Sequence, residues 1–160
     1  MGRLREEMTE IRRTRTIAAP VENIWNVLAD FGSISAWAGN VDHSCVLHAG
    51  RNGQPVGTAR RVQVKRDALV ERITEFEPPR ALAYDIDGLP RRLRSVSNRW
   101  TLAPAGSARH PGTRVTLTST VELGPRPIHK LAERVLCSFL ARQSDTMLAG
   151  LANRLENGRV

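Results

Sequence analysis

The chain reads as an α+β domain: one strand, two short helices, six further strands and a long C-terminal helix, in that order. Three observations carry this reading. The stretch from Ile17 to Phe31 passes from β-branched residues through Pro20 into a helical pattern. From Val41 to Leu123 the chain is a series of short runs divided by turn residues, which is how an antiparallel meander looks in sequence. After Pro127 turn residues nearly vanish for roughly thirty positions, about the length of the longer globular helices. A sheet with one apolar face needs a cover, so a seven-stranded antiparallel sheet is expected to curve around the last helix.

Residues 1–9, with Arg3, Arg5, Glu6 and Glu7, read as a polar leader, and 10–157 as a single domain. The first strand is expected from Glu10 to Ala18, where Thr14, Thr16 and Ile17 are β-branched. Pro20 suits the first helical turn, where its missing N–H costs nothing. Val21, Ile24, Trp25, Leu28 and Phe31 then recur at three-and-four spacing along one helix face. Gly32 ends that helix, Ile34 to Trp37 forms a second short one, and Gly39-Asn40 turns the chain.

The meander strands are expected at Val41–Ala49, Thr58–Lys65, Leu69–Phe76, Ala81–Asp87, Arg94–Leu102 and Arg114–Leu123. The breaks Gly50-Arg51-Asn52-Gly53, Glu77-Pro78-Pro79-Arg80 and Ala103-Pro104-Ala105-Gly106 have their own turn chemistry. Beyond Gly124-Pro125-Arg126-Pro127, one broad helix face collects Leu131, Val135, Leu136, Phe139, Leu140, Met147, Leu148, Leu151 and Leu155. Gly150 is its weak point, at about 1 kcal/mol against alanine.

Composition narrows the function classes. With 160 residues, 41% of them hydrophobic, the chain fills one sizeable core. The net charge of +8 raises nucleic-acid binding. Against it, the bases are nearly all Arg, scattered from Arg3 to Arg159 and interleaved with acids, and aromatics for stacking are 4%. No nucleic-acid partner is expected. No stretch approaches the roughly 18 apolar residues of a membrane helix, so a cytoplasmic protein with no integral membrane association is expected, as monomer or homodimer.

Cys45 and Cys137 lie too far apart for a disulfide framework or a zinc site and are expected to be buried and reduced. His48, His110 and His129 have no metal-ligand spacing, so no metal and no cofactor are expected. There is no G-x-S-x-G elbow, Cys/His nucleophile arrangement or Gly-rich phosphate cradle, which disfavours nucleophilic and nucleotide chemistry.

The residues also carry a resemblance. Ile17 through Pro20, Trp25 and Phe31-Gly32 to Trp37, the stretch Val70 to Tyr84 around Glu77-Pro78-Pro79-Arg80, Asn98 to Pro104, and Gly112-Thr113-Arg114-Val115 are together similar to the SRPBCC (START/Bet v 1-like) superfamily, in its polyketide cyclase/dehydrase-like branch. The resemblance covers about residues 10 to 155 and implies a helix-grip fold with a deep hydrophobic cavity between sheet and C-terminal helix. Members of that superfamily include lipid carriers, hormone receptors and ring-closing aromatases, so the fold by itself leaves the function open.

Strand alternation names the cavity side independently. Leu69, Glu71 and Ile73 share one parity, as do Leu82, Tyr84 and Ile86, then Val96, Asn98, Trp100 and Leu102. Val115, Leu117, Ser119 and Val121 form another set, Val62 and Val64 a fifth, and His43 with Cys45 a sixth; Leu136, Leu140, Ser144 and Met147 are the inward row of the long helix. This lining suits a small-molecule pocket.

Glu71 either faces the cavity, as the resemblance implies, or lies on the outer face paired with Arg72 or another surface Arg. His43 either pairs with Glu71 for acid/base work or is a structural strand histidine. Tyr84 either presents its hydroxyl to a ligand or packs with the hydroxyl at the rim, and Gly88-Leu89-Pro90 is an entrance loop or a plain hairpin turn. The resemblance to ring-closing aromatases implies an Arg deep in the cavity, a role for Arg60 or Arg61 beside Tyr84.

Two functions follow. One is binding or carriage of a lipid, polyketide or aromatic metabolite. The other is a cyclase or dehydratase using Glu71 with His43 or Tyr84 as catalytic groups.

Overall fold

In the computed structural model of the chain, residues 8–89, 93–123 and 130–157 are described. Strand β1 (Met8–Ile17) leads into helix α1 (Val21–Ala29) and a 3-10 helix (Phe31–Ala36). Strands β2 (His43–His48), β3 (Ala59–Val64), β4 (Asp67–Glu77), β5 (Ala81–Asp87), β6 (Leu93–Gly106) and β7 (Pro111–Leu123) follow, and helix α2 (Lys130–Asn157) ends the described chain. The strands form one antiparallel sheet in the order β1-β7-β6-β5-β4-β3-β2. Its curvature matches the helix-grip architecture expected.

Several boundaries differ from expectation for local reasons. Strand β1 begins at Met8, paired with Glu122, so residues 8 and 9 belong to the sheet. Pro20 stands one position before α1, with extended backbone, and its carbonyl accepts the N–H groups of Asn23 and Ile24. The break expected at Ala103-Pro104-Ala105-Gly106 is strand; the turn comes later, closed by Ser107 and His110. Pro104 fits because Leu102 donates its N–H toward Arg80, so two residues on the proline nitrogen points the same way, past the end of β5, where no donor is required. The Gly124-Pro125-Arg126-Pro127 break and Pro90 lie outside the described residues.

A bulge in β4 bends the sheet. Ile73 opposes Tyr84 while Glu75 opposes Ala83, leaving Thr74 extra. The extra residue switches the parity of the strand: Glu71 and Ile73 face inward before it and Phe76 after it, while Glu75 turns out to Arg99. The main core joins Ile17, Ile24, Trp25, Leu28 and Phe31 to Leu82, Tyr84, Trp100 and Leu117 and to Met147, Leu148 and Leu151 of α2. Edge-on aromatic pairs Trp25–Phe76, Phe31–Tyr84 and Trp37–Trp100, with ring centres 5.1, 5.6 and 5.8 Å apart, tie the two short helices to the sheet.

Helix α2 is held unevenly. Met147, Leu148, Leu151 and Ala152 of its second half are buried, and Gly150 lets it press on the Trp37–Ala38 backbone, where an added Cβ would overlap the Trp37 carbonyl. In its first half Val135 and Phe139 are 63% and 55% exposed, so the broad apolar face does not all turn inward. Leu136 and Leu140 instead meet a separate small cluster of Val96, Val121 and Leu123. Residues of both clusters border an open space between the sheet and the helix.

Candidate functional site

The gap between those clusters is a cavity of about 450 Å³. Val62 and Val64 of β3, Leu69 and Glu71 of β4, Ile86 of β5, Val96 and Asn98 of β6 and Ser119 of β7 form its sheet wall. Leu140, Ser144 and Met147 of α2 form the opposite wall. These are the inward parities of each strand, so alternation set them. The lining is mainly apolar with a few convergent polar groups, and the volume lies in the range of small-molecule sites.

Its polar end is built around Glu71 and Arg60, both almost fully buried. Arg60 Nε donates to Glu71 Oε1 at 2.8 Å, and Nη1 donates to the Phe31 carbonyl at 2.8 Å. Nη2 lies 2.7 Å from the same Glu71 oxygen but off the line a hydrogen bond needs, so it adds charge attraction without a bond. The guanidinium is also sandwiched by aromatic faces, 3.7 Å from the Phe31 ring centre and 4.7 Å from that of Tyr84. Both Arg60 contacts use Oε1; Oε2 of Glu71 accepts no hydrogen bond among the described residues.

Beside this pair runs a second network. Tyr84 Oη accepts from Asn98 Nδ2 and from Trp100 Nε1, each at 3.3 Å, and Ser119 Oγ donates to Asn98 Oδ1 at 2.6 Å. Burial raises the Tyr84 pKa above the ordinary tyrosine range, and the nearby Glu71 charge raises it further. Across the cavity, Asn40 Nδ2 donates to Gln143 Oε1 at 2.6 Å, tying the segment before β2 to α2. Asn40 Oδ1 is buried without a partner among the described residues.

The structure sorts the expected site residues. Glu71 faces the cavity and its partner is Arg60, not Arg72. Ile73, Leu82, Tyr84, Trp100 and Leu117 are buried core behind the lining, with the Tyr84 ring serving as a slab against Arg60. Leu136 packs beside the cavity in the small cluster.

His43 is a correction: it is exposed on the outer face of β2, because its pairing with Gln63 gives it the parity opposite to Val62 and Val64. No His43–Glu71 pair exists. The inward neighbour is Ser44, which donates to the Gly32 carbonyl at 2.7 Å and accepts the Ser35 N–H at 3.0 Å, pinning the 3-10 helix to the sheet. Cys45 shares the outward parity and is exposed, while Cys137 is half-buried, so neither is a core residue.

Ile34, Asn40, Val41, Asp67, Phe139 and Gln143 also line the cavity and were not expected there, while Gly88 and Leu89 of the expected loop do line it. Gln143 carried a signal, since it completes the three-and-four row of Leu140, Ser144 and Met147. Asn40 and Asp67 sit in or beside connections, where no periodicity exists to read.

A curved antiparallel sheet gripping a long helix over an apolar cavity defines a helix-grip fold. The chain belongs to the family described as polyketide cyclase / dehydrase and lipid transport, whose sequence profile matches residues 8–156. No curated protein matches it in sequence.

Solved structures share the fold. A START superfamily protein from Mycobacterium smegmatis superposes with a TM-score of 0.74 at 15% identity, over 94% of this chain and 99% of that one. The Zhui aromatase/cyclase from Streptomyces sp. R1128 gives 0.74 at 20% identity, over 94% of each chain. A protein from Thermus thermophilus gives 0.73 at 22% identity, over 95% of this chain and 100% of that one. Among the described residues no helix is long and apolar enough to cross a membrane.

Proposed function

We propose that this protein binds and carries a hydrophobic small molecule, of the size of a lipid, polyketide or aromatic metabolite, inside the cavity between the sheet and α2. The observation that carries the reading is the cavity itself: about 450 Å³ walled by Val62, Val64, Leu69, Ile86, Val96, Leu140 and Met147, with a small number of polar groups among them. Burial of apolar ligand surface against such a wall yields roughly 25 cal/mol per Å², enough for tight retention once a few polar groups set orientation. The family description, which names lipid transport, agrees with it.

Native mass spectrometry of the purified protein tests the reading. A co-purifying apolar molecule of matching size is the expected result. A ligand-free protein that also takes up no apolar dye would overturn it.

The enzymatic alternative, a cyclase or dehydratase, draws on the aromatase/cyclase among the structural relatives. It has fewer groups to work with. His43 faces outward, Tyr84 is held behind the lining with a raised pKa, and Glu71 is ion-paired with Arg60. Carriage therefore takes precedence over catalysis.

A further inference from the structure

Among the described residues, the charged side chains that line the cavity are opposite in sign to the net charge of the molecule. The chain holds 24 basic and 16 acidic residues, yet the described residues lining the cavity include two carboxylates, Asp67 and Glu71, and no Lys, Arg or His. The guanidinium of Arg60, beside the cavity, is turned to Glu71 Oε1, the Phe31 carbonyl and two aromatic rings. Glu71 is 6% exposed and presents to the cavity an oxygen that no described residue engages. Among the described residues, the polar end thus offers an acceptor and lacks a free cation.

Resting on the carriage reading above, we propose that the ligand is an uncharged apolar alcohol or phenol whose hydroxyl donates to Glu71 Oε2, and that apolar carboxylates are rejected. A hydroxyl proton completes the hydrogen bonding of the buried carboxylate, which would otherwise stay under-satisfied in a poorly solvated place. Its oxygen is then free to meet the Ser144 hydroxyl, which is buried in the facing wall and makes no hydrogen bond among the described residues. A ligand carboxylate would instead set a second negative charge beside Glu71, with no cation among the described lining residues left to neutralise it. A protonated amine is disfavoured at Glu71 in turn, because Arg60 has already compensated that charge and the two cations would share a desolvated site, while Asp67, the other lining carboxylate, is exposed to solvent.

Matched probes test this on the wild-type protein at neutral pH by calorimetry or dye displacement. Two skeletons, biphenyl and a dodecyl chain, each carry a hydroxyl, a carboxylate, an aminomethyl group or hydrogen. The hydroxyl member of each set is expected to bind at least about tenfold tighter than the other three, the lower range of the penalty for leaving a buried polar group unpaired. In a paired Arg60→Leu/Glu71→Leu variant the hydroxyl advantage is expected to vanish while hydrocarbon binding persists.

Equal binding of all members, or preference for the carboxylate or the amine, overturns this inference and leaves carriage standing. Failure of every probe to bind overturns both. The wild-type ranking decides the matter even where the paired variant does not fold.

Discussion

Arg60 is surrounded by a carboxylate, a backbone carbonyl and two aromatic faces, of which only a place beside Tyr84, shared as an expectation with Arg61, was offered in advance by the resemblance. Which acid meets it depends on β3 pairing with β4 so that Arg60 opposes Glu71, a register that a single strand does not encode. Arg60→Met strands the buried Glu71 charge and is expected to cost about 3 kcal/mol in urea unfolding, with Arg60→Met/Glu71→Leu recovering much of it. Tyr84 supplies a second check, because it is the sole tyrosine of the chain and its titration can be followed by tyrosinate absorbance alone. Its folded pKa is raised, chiefly by burial, so the stability it contributes is complete below the ordinary tyrosine value of about 10 and is lost as pH rises toward the folded one. The native protein should therefore ionise Tyr84 at higher pH than the urea-unfolded chain does; coincident titrations would count against its burial.

Among the elements, α2 shows most plainly what periodicity can and cannot settle. Its length and inward row of Leu140, Ser144 and Met147 follow from spacing, whereas the exposure of Val135, and of Phe139 at the edge of the cavity, follows from the first half standing off the sheet. Gly150 reads in isolation as a defect in a helix. Packed, it is the contact point with Trp37 and Ala38, so Gly150→Ala is expected to lower the melting temperature by overpacking, at about 1–3 kcal/mol, outweighing the helix propensity it gains. A raised melting temperature would show that α2 does not approach that closely. The β4 bulge is the same lesson in a strand, since one unpaired residue at Thr74 moves Glu75 out to Arg99 and Phe76 into the core.

For the molecule as a whole, the open volume between two apolar clusters is the feature on which the proposed carriage rests. Leu140→Trp places an indole in that volume and is expected to abolish binding of apolar probes while leaving the melting temperature within about 3 °C of wild type. A large fall in stability would mean that the space is already filled by relaxed side chains. The sequence by itself determined the strand and helix order, the fold class and most of the sheet wall, because spacing of apolar residues and turn chemistry are local properties of the chain. That Glu71 meets Arg60, that His43 and Cys45 face outward, and that Asn40 and Gln143 span the cavity emerged on folding alone. Those facts depend on strand register and on the height of one helix above a curved sheet, which are set by contacts between residues far apart in the chain.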